Sequence, residues 1–283
     1  MARILAISSY VASGHVGLSA IVPALQALGH EVIAVPTVVL SCHYGHVHVG
    51  GIAVDAAGLD SMLSAIRANG VLDETDAILT GYLPGAAAVA RVAEELERIA
   101  DHRPEALYLC DPVLGDDPKG LYVQSDVAAA VRDRLVPLAD IITPNRFELS
   151  WLTQTDVRNG VDADRAADAT GAELLAITSV PAGEGFIANV SSDADDALMC
   201  AAARLEHVPH GTGDLFAALL LGHLLSGHAH AQAMARASAG VQIVISESMG
   251  SDELRLVSSL GRAVTAAPAE LVPVYDESGP AGL

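Results

Sequence analysis

Short apolar runs alternate with amphipathic stretches from the first residues of this chain onward, and that alternation constrains its fold more than any other feature. Residues 3–8 read as a buried strand, 15–28 as a helix closed by Gly29, and 31–40 as extended. A helix over 57–69 ends at Gly70, then 76–80 is a strand, 86–99 a helix, 105–110 a strand and 125–135 a helix. Strands follow at 139–142 and 173–178. Such repetition predicts a mainly parallel sheet with helices on both faces. Residues 186–189 and 197–203 look like a hairpin around 191–196, and 213–225, 231–246 and 252–262 like three late helices. No repeat or linker is visible, so 1–264 are expected to form one domain and 265–283 an irregular tail over its surface. In open parallel sheets, ligands sit outside the carboxyl ends of the strands. The loops at 8–17, 41–51, 81–84, 111–120, 143–148, 179–185 and 210–214 are therefore the place to look for chemistry.

Charge and composition narrow the partners. With 283 residues the chain can bury a sizeable α/β core, and at 51% hydrophobic but 4% aromatic that core must be aliphatic. A net charge of −20 repels a polyanion, so nucleic acid is not an expected partner. A phosphate ligand stays compatible, because loop amides or one bound cation create a local positive site. The three cysteines, Cys42, Cys110 and Cys200, form no Cys-x-x-Cys pair and suggest no disulfide framework. Only Arg3 precedes the first apolar run, which is too short for a signal peptide or a membrane span. The expectation is a reducing cytoplasm and no membrane contact.

Three motifs carry the chemistry. Gly211-Thr212-Gly213-Asp214 opens a helix, where two glycines allow close backbone approach and the exposed amides face an anion. On these four residues alone, Asp214 reads as a helix cap before it reads as a catalytic acid. Thr143-Pro144-Asn145-Arg146-Phe147-Glu148 ends a strand at Pro144 and puts Asn145 and Glu148 on one face of a first helical turn. Alone, that pair reads as a capping box. Cys110-Asp111-Pro112-Val113-Leu114-Gly115-Asp116 follows another strand, and its acids suit magnesium or simply a turn.

Taken together and in this order, the motifs resemble the ribokinase superfamily, and within it the bacterial pyridoxal kinases. The resemblance runs from about Ile4 to Gly250. It implies an α/β, ribokinase-like three-layer sandwich with a mainly parallel central sheet and a small flap. It implies that the amides of Gly211, Thr212 and Gly213 form the anion hole, and that Asp214 takes the proton from the substrate hydroxyl. A positioned carboxylate has this task because an alcohol is a weak nucleophile. Asp111, Asn145, Glu148, Thr178, Ser179, Gly211 and Gly213 would then lie at the nucleotide, with Asp111, Asp116 and Glu148 around magnesium. Where many relatives carry Lys, Thr178-Ser179 offers only neutral hydrogen bonds. Asp117 has no matching role and is expected to be solvated.

The substrate end rests on Ser8-Ser9-Tyr10-Val11-Ala12-Ser13-Gly14-His15-Val16-Gly17, on Thr37-Val38-Val39-Leu40-Ser41-Cys42-His43-Tyr44-Gly45 and on Gly81-Tyr82-Leu83-Pro84. The resemblance assigns Ser9, His43, Tyr44, Gly45 and Tyr82 to the substrate, with Cys42 and Tyr44 departing from the usual Asn and Thr. Leu18 likewise replaces an Asn. His43, His46 and His48 invite a zinc reading, but no neighbouring acid or cysteine completes a set. Residues 43–51 are therefore expected to form a mobile flap over the substrate, with His46 and His48 on one face. His207 and His210 are expected near the nucleotide or shaping the loop, and His228 and His230 in solvent. The implied reaction is ATP-dependent phosphorylation of the 5′-hydroxymethyl group of pyridoxal, pyridoxine or pyridoxamine. The implied cofactors are Mg2+ and, as a further candidate, a monovalent cation such as K+. A homodimer is implied as well, supported by the apolar stretches 21–28 and 215–225, which serve equally as core. The alternatives are a kinase for another heteroaromatic alcohol such as hydroxymethylpyrimidine, and a non-catalytic pyridoxal phosphate-binding protein.

Overall fold

The structure is a computed structural model in which residues 1–275 are described. The first half runs β1 (Arg3–Val11), α1 (Leu18–Ala27), β2 (Glu31–Leu40), β3 (Gly51–Ala53), α2 (Ala56–Ala68), β4 (Ala77–Thr80), α3 (Ala86–His102) and β5 (Leu107–Cys110). A two-stranded hairpin, β6 (Gly115–Asp116) with β7 (Gly120–Leu121), precedes α4 (Ser125–Ala130), β8 (Ile141–Ile142), α5 (Arg146–Thr153) and α6 (Gly160–Ala167). The chain then runs through β9 (Leu174–Pro181), β10 (Phe186–Ser192), β11 (Ala197–Ala203), α7 (Thr212–Leu225), α8 (His230–Ser248), α9 (Leu256–Ala263) and β12 (Val272–Pro273).

Among the described residues, ten strands form one sheet in the order β12-β11-β10-β9-β8-β5-β4-β1-β2-β3. The centre from β9 to β2 is parallel, and the pairs at both wings are antiparallel. Alternate residues of each central strand serve opposite faces, as the pleat requires. Leu5, Ile7 and Ile78 face a core shared with α2 to α6, while Ile4, Ala6 and Leu79 face one shared with α1, α7, α8 and α9. This is the three-layer sandwich expected. β1 leads to β2 on one side and has β4 on the other, so the strand order reverses beside β1. The crevice at such a switch point is where open α/β sheets take ligands.

Several boundaries differ from expectation for identifiable reasons. β1 continues past Ser8 to Val11, but its register shifts between Ser8 and Tyr10, leaving Ser9 in a bulge. The helix expected from His15 begins at Leu18, because Gly17 holds a left-handed φ of 54°. Residues 125–135 are helical throughout, as expected, but the α-helix Ser125–Ala130 gives way to a π turn over Val131–Leu135. The last helix starts at Leu256 rather than 252, which leaves Glu253 in a loop. The tail is not irregular throughout: β12 pairs with β11 at Leu198 and Met199. Its residues 276–283 lie outside the described part. No motif pointed to β3, the β6–β7 hairpin or α6, although Asn159, which caps α6 by accepting from the Asp162 amide, is an ordinary helix start.

Candidate active site

The anion loop is built by a close approach that only glycine permits. Gly211 caps α7 with a φ of 100°, and a Cβ there would lie 2.0 Å from the His15 carbonyl oxygen. Gly213 is exposed, and a Cβ on it would meet nothing within 4 Å, so the first turn of α7 opens onto free space. Asp214 stands in that turn. Burial raises its carboxyl to about 6, against the opposing effect of a hydrogen bond from the Gly17 amide. Gly17 also lies tight over the bulged Ser9, since a Cβ on it would come 2.2 Å from Ser9 Oγ. Asp214 and Ser9 are thus held by the same turn.

Two further acids share this end of the sheet. Asp111 is buried and accepts a hydrogen bond from Thr143 Oγ1 at 3.1 Å. Burial, then the charges of Glu148 and Asp214, hold it well above the usual carboxylate range. Glu148 is buried as well and completes a capping box: its amide donates to Asn145 Oδ1 and its Oε2 accepts from the Asn145 amide, both at 2.9 Å. Its Oε1 accepts from the Leu114 amide at 2.7 Å, tying α5 to the Asp111–Gly115 turn. Asn145 Nδ2 reinforces that tie by donating to the Gly115 carbonyl at 2.8 Å. Burial still raises Glu148 to about 7, with Asp116 adding to the effect. Thr178 bridges Asn145, and Ser179 follows in a bulge with a φ of 59°. The nucleotide candidates Asp111, Asn145, Glu148, Thr178 and Ser179 therefore lie along adjacent strand ends.

These acids offer oxygen donors only, which fits magnesium. They do not form a closed protein cage. Among the described residues, only His43, His46 and Glu253 have three donor atoms within 4.8 Å of one another. Magnesium tolerates such an open set because it keeps waters and uses substrate phosphates as ligands. Burial raises Asp116, opposed by Lys119, His210, Arg146 and Arg204. Tyr122 was missed by every motif. Burial and then the charges of Glu148, Asp116, Asp111 and Asp214 raise its phenol, although half of the residue remains exposed.

On the other side of the crevice, Tyr82 is fixed through its backbone. Its amide donates to Ser8 Oγ at 3.2 Å and its carbonyl accepts from the buried Thr37 Oγ1 at 2.7 Å. Tyr44, 65% exposed, sits on the connection between β2 and β3 and adds to the upward shift that burial gives Tyr82. The Gly45 amide donates to His43 Nδ1 at 3.0 Å. The connection is stitched at its base, where the Ser41 amide donates to the Gly50 carbonyl at 2.7 Å and Cys42 Sγ donates to the His48 carbonyl at 3.4 Å.

The family model described as phosphomethylpyrimidine kinase matches residues 12–255. A pyridoxal kinase PdxY of Corynebacterium diphtheriae is 35% identical over 261 residues, covering 90% of this chain and 92% of that protein. The chain belongs to the pyridoxal kinase family. A pyridoxine/pyridoxal/pyridoxamine kinase of Bordetella avium is 39% identical over 79% of this chain and 78% of its own. The solved pyridoxal kinase of Leishmania donovani in complex with ADP and pyridoxamine superposes with a TM-score of 0.91 at 30% identity, over 96% of this chain and 99% of that one.

Within this pyridoxal kinase framework three expectations need correction. An acid does complete a set with His43 and His46: Glu253 Oε1 lies 2.7 Å from His46 Nε2 and 3.7 Å from His43 Nε2. No strand runs through 41–50, so His46 and His48 share no strand face. Asp117 is exposed, as expected, and forms a surface ion pair with Arg146. His230 is buried at the start of α8, where its Nδ1 meets Ser191 Oγ at 2.9 Å. His210 does border the site, with its ring centroid 4.6 Å from that of His43.

Proposed function

We propose that this chain transfers the γ-phosphoryl group of ATP to the 5′-hydroxymethyl group of pyridoxal, pyridoxine or pyridoxamine, with Asp214 as the base. The observation that carries this is Asp214 in the first turn of α7, with a carboxyl near 6 and open space beside Gly213. At neutral pH such a carboxyl is mostly ionised, yet basic enough to accept the hydroxyl proton as the P–O bond forms. The free amides of Gly211, Thr212 and Gly213 face the transferring phosphoryl group, where charge stabilisation is worth most. Asp111, Asn145, Glu148, Thr178 and Ser179 address the nucleotide. Asp111, Asp116 and Glu148 hold Mg2+ partly through water, and the ion neutralises phosphate charge. A monovalent cation such as K+ is a further candidate at this acidic end.

Ser9 serves the pyridine ring or its phenolic oxygen, and Tyr82 lines the same pocket. Tyr44 and Gly45, with His43, close over it, so that water does not compete for the phosphoryl group. Residues 1–264 act as one kinase domain. The working environment is the cytoplasm, away from nucleic acid and membrane; among the described residues no helix is long and apolar enough to cross one. The active form is a homodimer.

The matched family description favours one second reading, a hydroxymethylpyrimidine acceptor. Purified protein with ATP and magnesium should be offered the three vitamers and hydroxymethylpyrimidine, with ADP and the phosphorylated product both measured. Phosphorylation of a vitamer at the highest kcat/KM is expected. Preference for the pyrimidine would establish the second reading, and binding of pyridoxal phosphate without ADP formation would reduce the chain to a carrier.

A further inference from the structure

The 41–50 connection and the loop ahead of α9 meet in a cluster of which the kinase reading uses only His43. His46 and Glu253 come from positions 207 residues apart, yet Nε2 and Oε1 are 2.7 Å from each other. His43 Nε2 stands 3.7 Å from the same oxygen. The second carboxylate oxygen of Glu253 is buried and has no hydrogen-bond partner among the described residues. Room for this carboxylate exists because residue 14 is glycine: a Cβ there would lie 2.5 Å from Glu253 Oε2. Glycine at 45 likewise leaves room for the His43 ring, which a Cβ would approach to 2.7 Å. The His43 ring lies between those of His46 and His210, at centroid distances of 4.4 and 4.6 Å.

We propose that His43, His46 and Glu253 bind one divalent transition cation, with zinc as the best fit, and that the ion clamps the 41–50 connection to the loop before α9. Ligand–metal bonds of about 2.0–2.1 Å in a tetrahedron put ligand atoms roughly 3.3 Å apart. The two separations from Oε1 bracket that value, and the three ligand atoms already lie within 4.8 Å of one another, so small side-chain shifts bring them toward the tetrahedral spacing. Two imidazoles and one carboxylate form a borderline-soft donor set that suits zinc better than magnesium. Three protein ligands leave a fourth position for water, for His210 or for a substrate oxygen. Coordination through His43 Nε2 moves that ring's proton to Nδ1 and breaks the bond from the Gly45 amide; His46 only has to exchange its carboxylate hydrogen bond for the metal. The ion would hold His43, Tyr44 and Gly45 over the crevice. The Gly211 loop would be coupled to the same clamp, since the His210 ring packs against that of His43.

The test is zinc binding by the full-length protein with magnesium and ADP already saturating, so that the acidic site is filled. Competition with a chromophoric chelator should show one zinc per chain, with a dissociation constant at or below micromolar. His46→Ala and Glu253→Gln should each weaken it at least tenfold, whereas the exposed His48→Ala should not. Melting curves of the metal-free variants establish that they are folded. Zinc should also protect 41–50 from limited proteolysis in the wild type but not in Glu253→Gln. Absence of saturable binding at micromolar zinc would overturn the proposal. So would equal binding by all three variants, or a loss in His48→Ala as large as in His46→Ala. These readouts do not depend on turnover, so a failure of the kinase reading would leave them interpretable.

Discussion

At the scale of single residues, Asp214 gives the sharpest expectation. Asp214→Ala should lower turnover about 10²-fold or more, the range of a lost general base, and steady-state kinetics check it. Because burial raises this carboxyl to about 6, kcat/KM of the wild type should climb with pH through a limb centred near 6, as the base loses its proton. A profile flat from pH 5 to 8 would contradict that role. Gly211→Ala tests the loop instead of the base. It would force a side chain into a φ of 100° and against the His15 carbonyl, costing about 2 kcal/mol or more. Thermal melting and phosphoryl transfer should both suffer. These residues were legible in the sequence because their meaning is local: two glycines and an acid open a helix within four positions. Glu253 was not legible, because its partners are distant in sequence and no spacing rule links them.

Elements show how local signals acquire a second meaning. The Asn145–Glu148 pair reads as a capping box, and it is one, but the same Glu148 also receives the Leu114 amide and faces the acid cluster. Capping and cation binding are compatible, so the test is quantitative. Glu148→Gln should raise the magnesium concentration needed for half-maximal rate. In the wild type that requirement should fall as pH rises through about 7, where Glu148 loses its proton; magnesium titrations at several pH values measure both. For the β2–β3 connection, Tyr44→Ala should raise KM for pyridoxal several-fold, with KM for ATP largely unchanged, because an exposed aromatic face is removed from the acceptor side alone. Helix and strand types followed from periodicity, whereas their ends were set by contacts that periodicity does not carry. Ser9 falls in a bulge and α1 starts late because Gly17 turns over Ser9.

Over the whole molecule, alternation in the sequence was enough to imply helices on both faces of a parallel sheet, but not the strand order, which depends on pairings between distant segments. The apolar stretches 21–28 and 215–225 that had suggested a dimer surface are largely consumed in the core: Ile21, Leu25 and Leu215–Leu221 are buried. A shallow groove that includes Tyr10, Val22, Pro23, Pro36 and Val39 is the better candidate for contact with a second copy. Light scattering at micromolar concentration should give about twice 29.0 kDa; a mass near 29.0 kDa would rule the dimer out. The two outermost strands limit how such copies can meet. β3 is only three residues long, and β12 has two, one of them Pro273, which lacks an amide hydrogen. These terminal strands themselves therefore offer few free backbone groups for another chain to pair with. A second copy is then expected to be recognised mainly through side chains, so substitutions in that groove, rather than backbone changes at the sheet margins, should govern association.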